Sequence, residues 1–138
     1  MNQNNRNYFD RQVDWVLDRL PRKILRLLME VPLHVEDQPS KRLREDLKID
    51  DPVELCGYYS GVPFHKGSMF GTNVYLPPGV PFPNSITIFR RGIIAASRDE
   101  QGNVNRSQLR REIRTTILHE LAHLHGMDED EITEIGYG

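Results

Sequence analysis

The sequence predicts a small α+β domain, and three observations predict it. Apolar residues recur at helical spacing near both ends of the chain, a short β-branched run lies between them, and the length suits one domain. At 138 residues the chain is the size of a single ordinary domain. A chain this long can bury a core without disulfides. Its one cysteine, Cys56, has no partner within the chain and cannot build a cysteine-based metal site. That usage fits a reducing compartment. Residues 1–7 are polar and Asn-rich, without the apolar run of a secretory signal, so the expected location is cytoplasmic. They read as a disordered tail, and residues 8–138 as the single domain. No stretch approaches the roughly 18 apolar residues of a membrane span. The net charge of −2 provides no global field for nucleic acid or an anionic membrane.

The elements follow in order. Phe9, Val13, Val16, Leu17 and Leu20 stand at helical spacing, predicting an amphipathic helix over 8–20. Pro21 suits the first turn of a second helix with Ile24, Leu25, Leu27 and Leu28 on its apolar face. Residues 31–36 alternate like a short strand through Val31, Leu33 and Val35, and 40–47 form a charged helical turn or loop. A further short strand around Tyr58 and Tyr59 ends at Gly61. Residues 61–84 are rich in proline and glycine and also carry Phe64, Phe70, Tyr75 and Phe82. That segment is long for an irregular stretch in a compact domain, so it reads either as a loop over a cleft or as a surface excursion pinned by its aromatics. Ser85–Phe89 is the clearest strand, ended by Arg90 and Arg91. Asn105 with Gln108 resembles a capping box, and the helix it opens runs to about His125, where Gly126 stops it. Residues 130–135 could form one more short helix.

That last long helix carries His119-Glu120-Leu121-Ala122-His123, the H-E-x-x-H pattern. Residues four apart on a helix lie one turn above each other, so two imidazoles at that spacing can reach one ion. The intervening glutamate, rotated by about 100°, can reach a water on that ion. Leu109, Ile113, Ile117, Leu121 and Leu124 form the apolar stripe, and both histidines point roughly 120° away from its centre. They share their face with Glu112 and Thr116, which could orient an imidazole. The pentapeptide alone is a weak signal, but here it sits on a long helix, with a glycine stop and acidic residues directly after it. A zinc site needs a third protein ligand. In the longer pattern the glycine turns the chain back towards the ion; Gly126 takes that position, Glu129 the final one, and Asp128 precedes it. Glu129 is favoured by register, with Asp128 close behind; a solvated acidic cap is the plainer reading of Asp128, Asp130 and Glu131. His125 points off the metal face.

At these residues the chain resembles the minimal zincin-like metallopeptidase family of small bacterial proteins. The shared features are Leu20-Pro21, Val35-Glu36-Asp37, the Gly57-Tyr58-Tyr59-Ser60-Gly61-Val62-Pro63 segment, Ile86-Thr87-Ile88-Phe89-Arg90-Arg91, and Thr116-Ile117-Leu118-His119 leading into the motif. The resemblance spans most of residues 9–135 in unbroken order. It implies a zincin fold: a small mixed sheet packed on helices, with the H-E-x-x-H helix lining the cleft. It also implies His119 and His123 as zinc ligands and Glu120 as the catalytic carboxylate acting on a peptide or protein substrate. The chain departs from the family in having Glu129 where the register usually ends in Asp, and in an expanded 63–85 loop. Larger relatives carry a Met-turn after the motif, for which no methionine remains beyond Met127. Tyr137 would fill space below the metal, face the reacting carbonyl, or belong to a mobile end.

Zinc-dependent peptide hydrolysis with Glu120 as general base is the function these residues point to, in a monomer or homodimer. The stretch from His119 to Asp130 is also similar to the motif of the bacterial zinc endoribonucleases of ribosomal RNA maturation. Those proteins have Gly where Glu120 stands and His where Glu129 stands, so both chemical positions differ. Arg106, Arg110, Arg111 and Arg114 would be that activity's phosphate contacts, though a solvated helix face explains them more simply. A zincin fold that binds without cleaving is the third reading, since fold alone does not establish turnover.

Overall fold

The structure is a computed structural model, and it describes residues 1–61, 84–126 and 130. The proline- and glycine-rich loop, Asp128, Glu129, Tyr137 and the final short helix predicted after Asp130 lie outside the described residues.

Five α-helices and a three-stranded sheet are present among the described residues. In chain order they are α1 (Gln3–Leu17), α2 (Arg22–Glu30), β1 (Leu33–Glu36), α3 (Lys41–Leu47), a 3₁₀ turn (Pro52–Glu54), β2 (Gly57–Ser60), β3 (Ser85–Phe89), α4 (Arg90–Ala96) and α5 (Arg106–Leu124). The α+β class is as predicted, and the sheet is mixed. Its order is β1-β3-β2, with β3 parallel to β1 and antiparallel to β2. No described helix is long and apolar enough to cross a membrane.

The register sorts the side chains by face. Leu33 pairs with Ile86 and Val35 with Ile88, while Tyr59 and Gly57 pair with the same two isoleucines from the other side. Directly paired residues share a face, because side chains alternate along each strand. Ile86 and Ile88 are fully buried, so this is the core face. It meets α5, whose Leu109, Ile113, Ile117, Leu121 and Leu124 are all buried, as the helical spacing predicts. Phe9, Val13, Val16 and Leu20 of the first helical segment close the core from the other side of α5. The α2 face formed by Ile24, Leu25, Leu27 and Leu28 is half-buried against the same cluster.

Two elements differ from the sequence reading, and for a third the structure selects the helical one of two alternatives. The first helix starts at Gln3 rather than Tyr8, so most of the expected tail is its opening turns. Asn2 caps it by accepting from the Asn5 N–H at 2.8 Å, which satisfies one of the donors a helix start leaves open. The charged stretch after Ser40 is a helix capped by that serine, whose Oγ accepts from Leu43. Helix α4 follows β3 without a break and is absent from the periodicity reading, being only 7 residues long. It packs closely: a Cβ on Gly92 would stand 2.1 Å from the Leu55 carbonyl oxygen.

A chain of ion pairs locks the helical layer to the sheet. Arg6 of α1 grips Asp37, just past β1, with its Nη2 donating to Oδ2 at 2.7 Å. Asp37 also accepts from Arg90 Nη1 at 3.0 Å, and Arg90 turns its other edge to Asp10, with bonds of 3.0 and 2.9 Å. Arg90 stands at the β3–α4 junction and its side chain is only 11% exposed, so it is the best shielded member. Two-bond guanidinium–carboxylate forks of this kind fix orientation as well as distance. Asp37 and Arg90 belong to the Val-Glu-Asp and Arg-Arg segments singled out in the sequence, and this network is their structural role.

Two consequences can be measured. The Arg6 hydrogen bond, opposed by burial and helped by Arg90, holds the Asp37 carboxyl below its ordinary value of 3.8. The stability from ionised Asp37 is therefore complete above that value and drains away as pH falls through the lowered one. Asp37→Asn should melt at a lower temperature than wild type at neutral pH, with the gap narrowing as pH falls below the ordinary carboxylate range in thermal scans; a gap independent of pH would contradict this. Ile113→Ala, at a fully buried site, should cost about 2–5 kcal/mol in urea denaturation.

Candidate metal centre

Helix α5 presents the site, and its two ends fix its register. At the start, the Asn105 side chain accepts from the Gln108 N–H at 2.7 Å. At the end, His125 is the C-cap residue, and Gly126 adopts a left-handed φ of 81° with its N–H donating to the His123 carbonyl at 2.9 Å. Only glycine takes that conformation freely, so the predicted stop is where the geometry needs it.

The spacing within the helix brings the two imidazoles together. His119 and His123 place their Nε2 atoms 3.0 Å apart, with ring centroids at 4.6 Å and planes at 75°. Two nitrogens each about 2.0–2.1 Å from a tetrahedral zinc would stand roughly 3.3–3.4 Å apart. The observed pair is within a few tenths of an ångström of that, and both rings are half-buried. The same distance suits an N–H···N bond between the rings, with donor and acceptor set by their tautomers. The donor set therefore fits zinc with a small outward adjustment.

Glu120 lies in a shallow depression of about 250 Å³, lined on α5 by Thr116, His119 and Glu120 and opposite by Cys56 and Gly57. Strand β2 runs beside the helix here. Gly57 lies so close that a Cβ on it would stand 2.7 Å from Thr116 Cγ2 and 3.0 Å from Glu120 Cγ. Tyr59, two residues on and on the same face, stacks with the His123 ring at 6.0 Å between centroids and 26° between planes. Cys56 is held as a neutral thiol: burial first, then the carboxylates of Glu112 and Glu120, raise its pKa. A protonated, half-buried thiol is a poor nucleophile; Glu54, His119 and Glu120 are the other ionisable side chains lining the depression.

The structure thus brings together His119, Glu120 and His123. Of the two residues predicted to share their face, Thr116 is buried against Gly57, and Glu112 lies near enough to act on Cys56. The two candidates for a third ligand, Asp128 and Glu129, are outside the described residues, and among those described no group of three His, Cys, Asp or Glu could hold a metal ion. Gly57 and Tyr59 were not assigned to the site from sequence. Their signal is the two-residue alternation of β2, which puts both on one face but does not say what that face meets.

A helix carrying H-E-x-x-H, packed on a small mixed sheet, places the protein among candidate metal-dependent hydrolases. Comparison with known families is specific: the family model of zincin-like metallopeptidases matches residues 28–138, and the chain belongs to that family. No curated protein matches it.

Gly57 provides the test of this packing. Alanine in place of a strand glycine ordinarily gains from backbone entropy. Here the clash with Thr116 and Glu120 should reverse the sign, and Gly57→Ala should lose about 1–3 kcal/mol in chemical denaturation. A neutral or stabilised variant would show that β2 does not press on the helix.

Proposed function

We propose that the protein is a zinc-dependent peptidase in which His119 and His123 hold the ion and Glu120 is the general base. The observation that carries this reading is the convergence of the two Nε2 atoms at 3.0 Å, on the helix face that also directs Glu120 into the depression. Glu129 or Asp128 completes the ligand set. When bound, zinc supplies Lewis acidity, lowering the pKa of a water and polarising a carbonyl.

The chain's own residues do the rest. Glu120 takes a proton from water as it attacks the peptide carbonyl and returns it to the departing amine, so the carboxylate ends the cycle as it began. Gly57 sets the distance of Glu120 from β2, and Tyr59 steadies the His123 ring by stacking. The cleft lined by α5 receives an extended polypeptide, in keeping with the family's activity. The membership of the family supports the chemistry.

Two measurements test the reading. Metal analysis of purified wild type should find one zinc per chain, with whichever of Asp128→Asn and Glu129→Gln removes the third ligand reducing it. Glu120→Gln should retain the zinc and lose hydrolysis of an unstructured polypeptide by about 10²-fold or more. Undiminished cleavage by that variant would rule out the mechanism, and zinc binding without any cleavage by wild type would make the fold a binding module.

A further inference from the structure

A second cavity among the described residues lies away from the candidate metal centre. It has a volume of about 700 Å³ and opens between the C-terminal part of α1 and the N-terminal half of α5. By the helical period, Arg110 in this cavity stands about half a turn round α5 from His119, so the two sites face opposite ways. Arg106, Arg110, Arg111 and Arg114 of α5 line it together with Arg19 and Trp15, and no carboxylate is among the described residues that do so.

A merely solvated arginine face would not be organised as this one is. Trp15 carries two guanidiniums, with the central carbon of Arg110 at 3.7 Å and that of Arg19 at 3.9 Å from its ring centroid. Arg110 Nε also donates to the side-chain oxygen of Gln12 at 2.8 Å, and Gln12 is buried. Arg19 Nη1 donates to the Trp15 carbonyl at 3.0 Å. All of these partners are neutral. They fix the positions of Arg110 and Arg19 without cancelling their charge. The crowding is felt: burial, then the charges of Arg106 and Arg19, lower the pKa of Arg110, against a smaller opposing effect of Tyr8. An anion seated here would meet guanidiniums already held in place by neutral partners.

The kind of anion follows from the geometry. Every cationic residue lining the cavity is arginine, whose planar fork pairs with two oxygens of one group at a time. An acidic peptide spreads single charges over separate side chains, whereas linked phosphates concentrate several in a small volume. The volume lies in the range of small-ligand sites. The N-terminus of α5, at Asn105, Arg106 and Ser107, opens onto the same space and adds its dipole. We propose that this cavity binds an oligophosphate group, gripped by the fixed Arg19 and Arg110 and closed over by the exposed Arg106 and Arg111. Trp15, Val16 and Arg19 precede the residues matched by the family model, so one wall of this site is built from outside the matched segment.

The test uses the full chain and inorganic tripolyphosphate in about 0.15 M salt, where weak surface attraction is screened. Titration calorimetry should show one saturable site, and the fluorescence of Trp15, the single tryptophan, should change with the same midpoint. Arg106→Gln with Arg111→Gln, both on an exposed helix face, should weaken binding about tenfold or more while leaving the circular-dichroism melt in place. Arg26→Gln on α2, outside the cavity, should leave binding unchanged. A parallel titration with ATP identifies the source: tighter binding than tripolyphosphate assigns the group to a nucleotide, equal binding to a free oligophosphate. Absence of a saturable signal, equal affinity in the double variant, or equally tight binding of hexaglutamate would each overturn the proposal. So would a short single-stranded RNA that binds and is not displaced by tripolyphosphate.

Discussion

Two imidazoles four residues apart converge on a point only if the helix bearing them is held at one rotation about its axis. In this protein the constraint comes from the apolar stripe of α5. Ile113, Ile117 and Leu124 are fully buried, and Leu109 and Leu121 nearly so. Turning the helix to hide the histidines would bring these side chains into water, at about 1.5–3 kcal/mol for each large aliphatic residue exposed. The rotation is therefore set by the core, and the polar face is left to the site. Cap and stop add the axial position, since Asn105 and Gly126 define where the helix can begin and end.

The neighbours of α5 act on that fixed frame from opposite sides. Against the histidine face lies β2, brought close by the absence of a side chain at Gly57 and aligned by the pairing of Tyr59 with Ile86. The sheet is in turn tied to α1 through Asp37 and Arg90, so the helix is clasped between two layers that are themselves joined by ion pairs. On the far face, α1 brings Trp15 against Arg110 and creates the arginine-lined cavity. One helix thus separates two chemically distinct surfaces, one of imidazole and carboxylate and one of guanidinium.

What could be read from sequence was what depends on neighbours along the chain. The apolar stripe, the Asn105 cap, the Gly126 stop and the H-E-x-x-H face of α5 are all local, and all are found where the spacing puts them. The SITIF strand was legible for the same reason. The start of α1 was not, because its polar first turns are held by Asn2 and by Arg6 reaching Asp37. Helix α4 was missed because 7 residues are too few to display a period. Gly57, Tyr59 and the Trp15–Arg110 contact depend on which elements meet, and no residue's own surroundings in the sequence encode that. The arginines were legible as a cluster, but their organisation by an aromatic ring from another helix was not.

The central position of β3 has a bearing on how the chain reaches this structure. Helix α5 closes its hydrogen bonds within a few residues, so it can form early and locally. Strand β3 instead pairs in parallel with β1, joining Leu33 to Ile86 across α3, β2 and the segment that follows β2. The entropy of closing so long a loop must be met before that pairing yields anything. The histidine helix can therefore precede the wall that faces it. The two imidazoles would then be set in register with each other before Gly57 and Tyr59 come to face them.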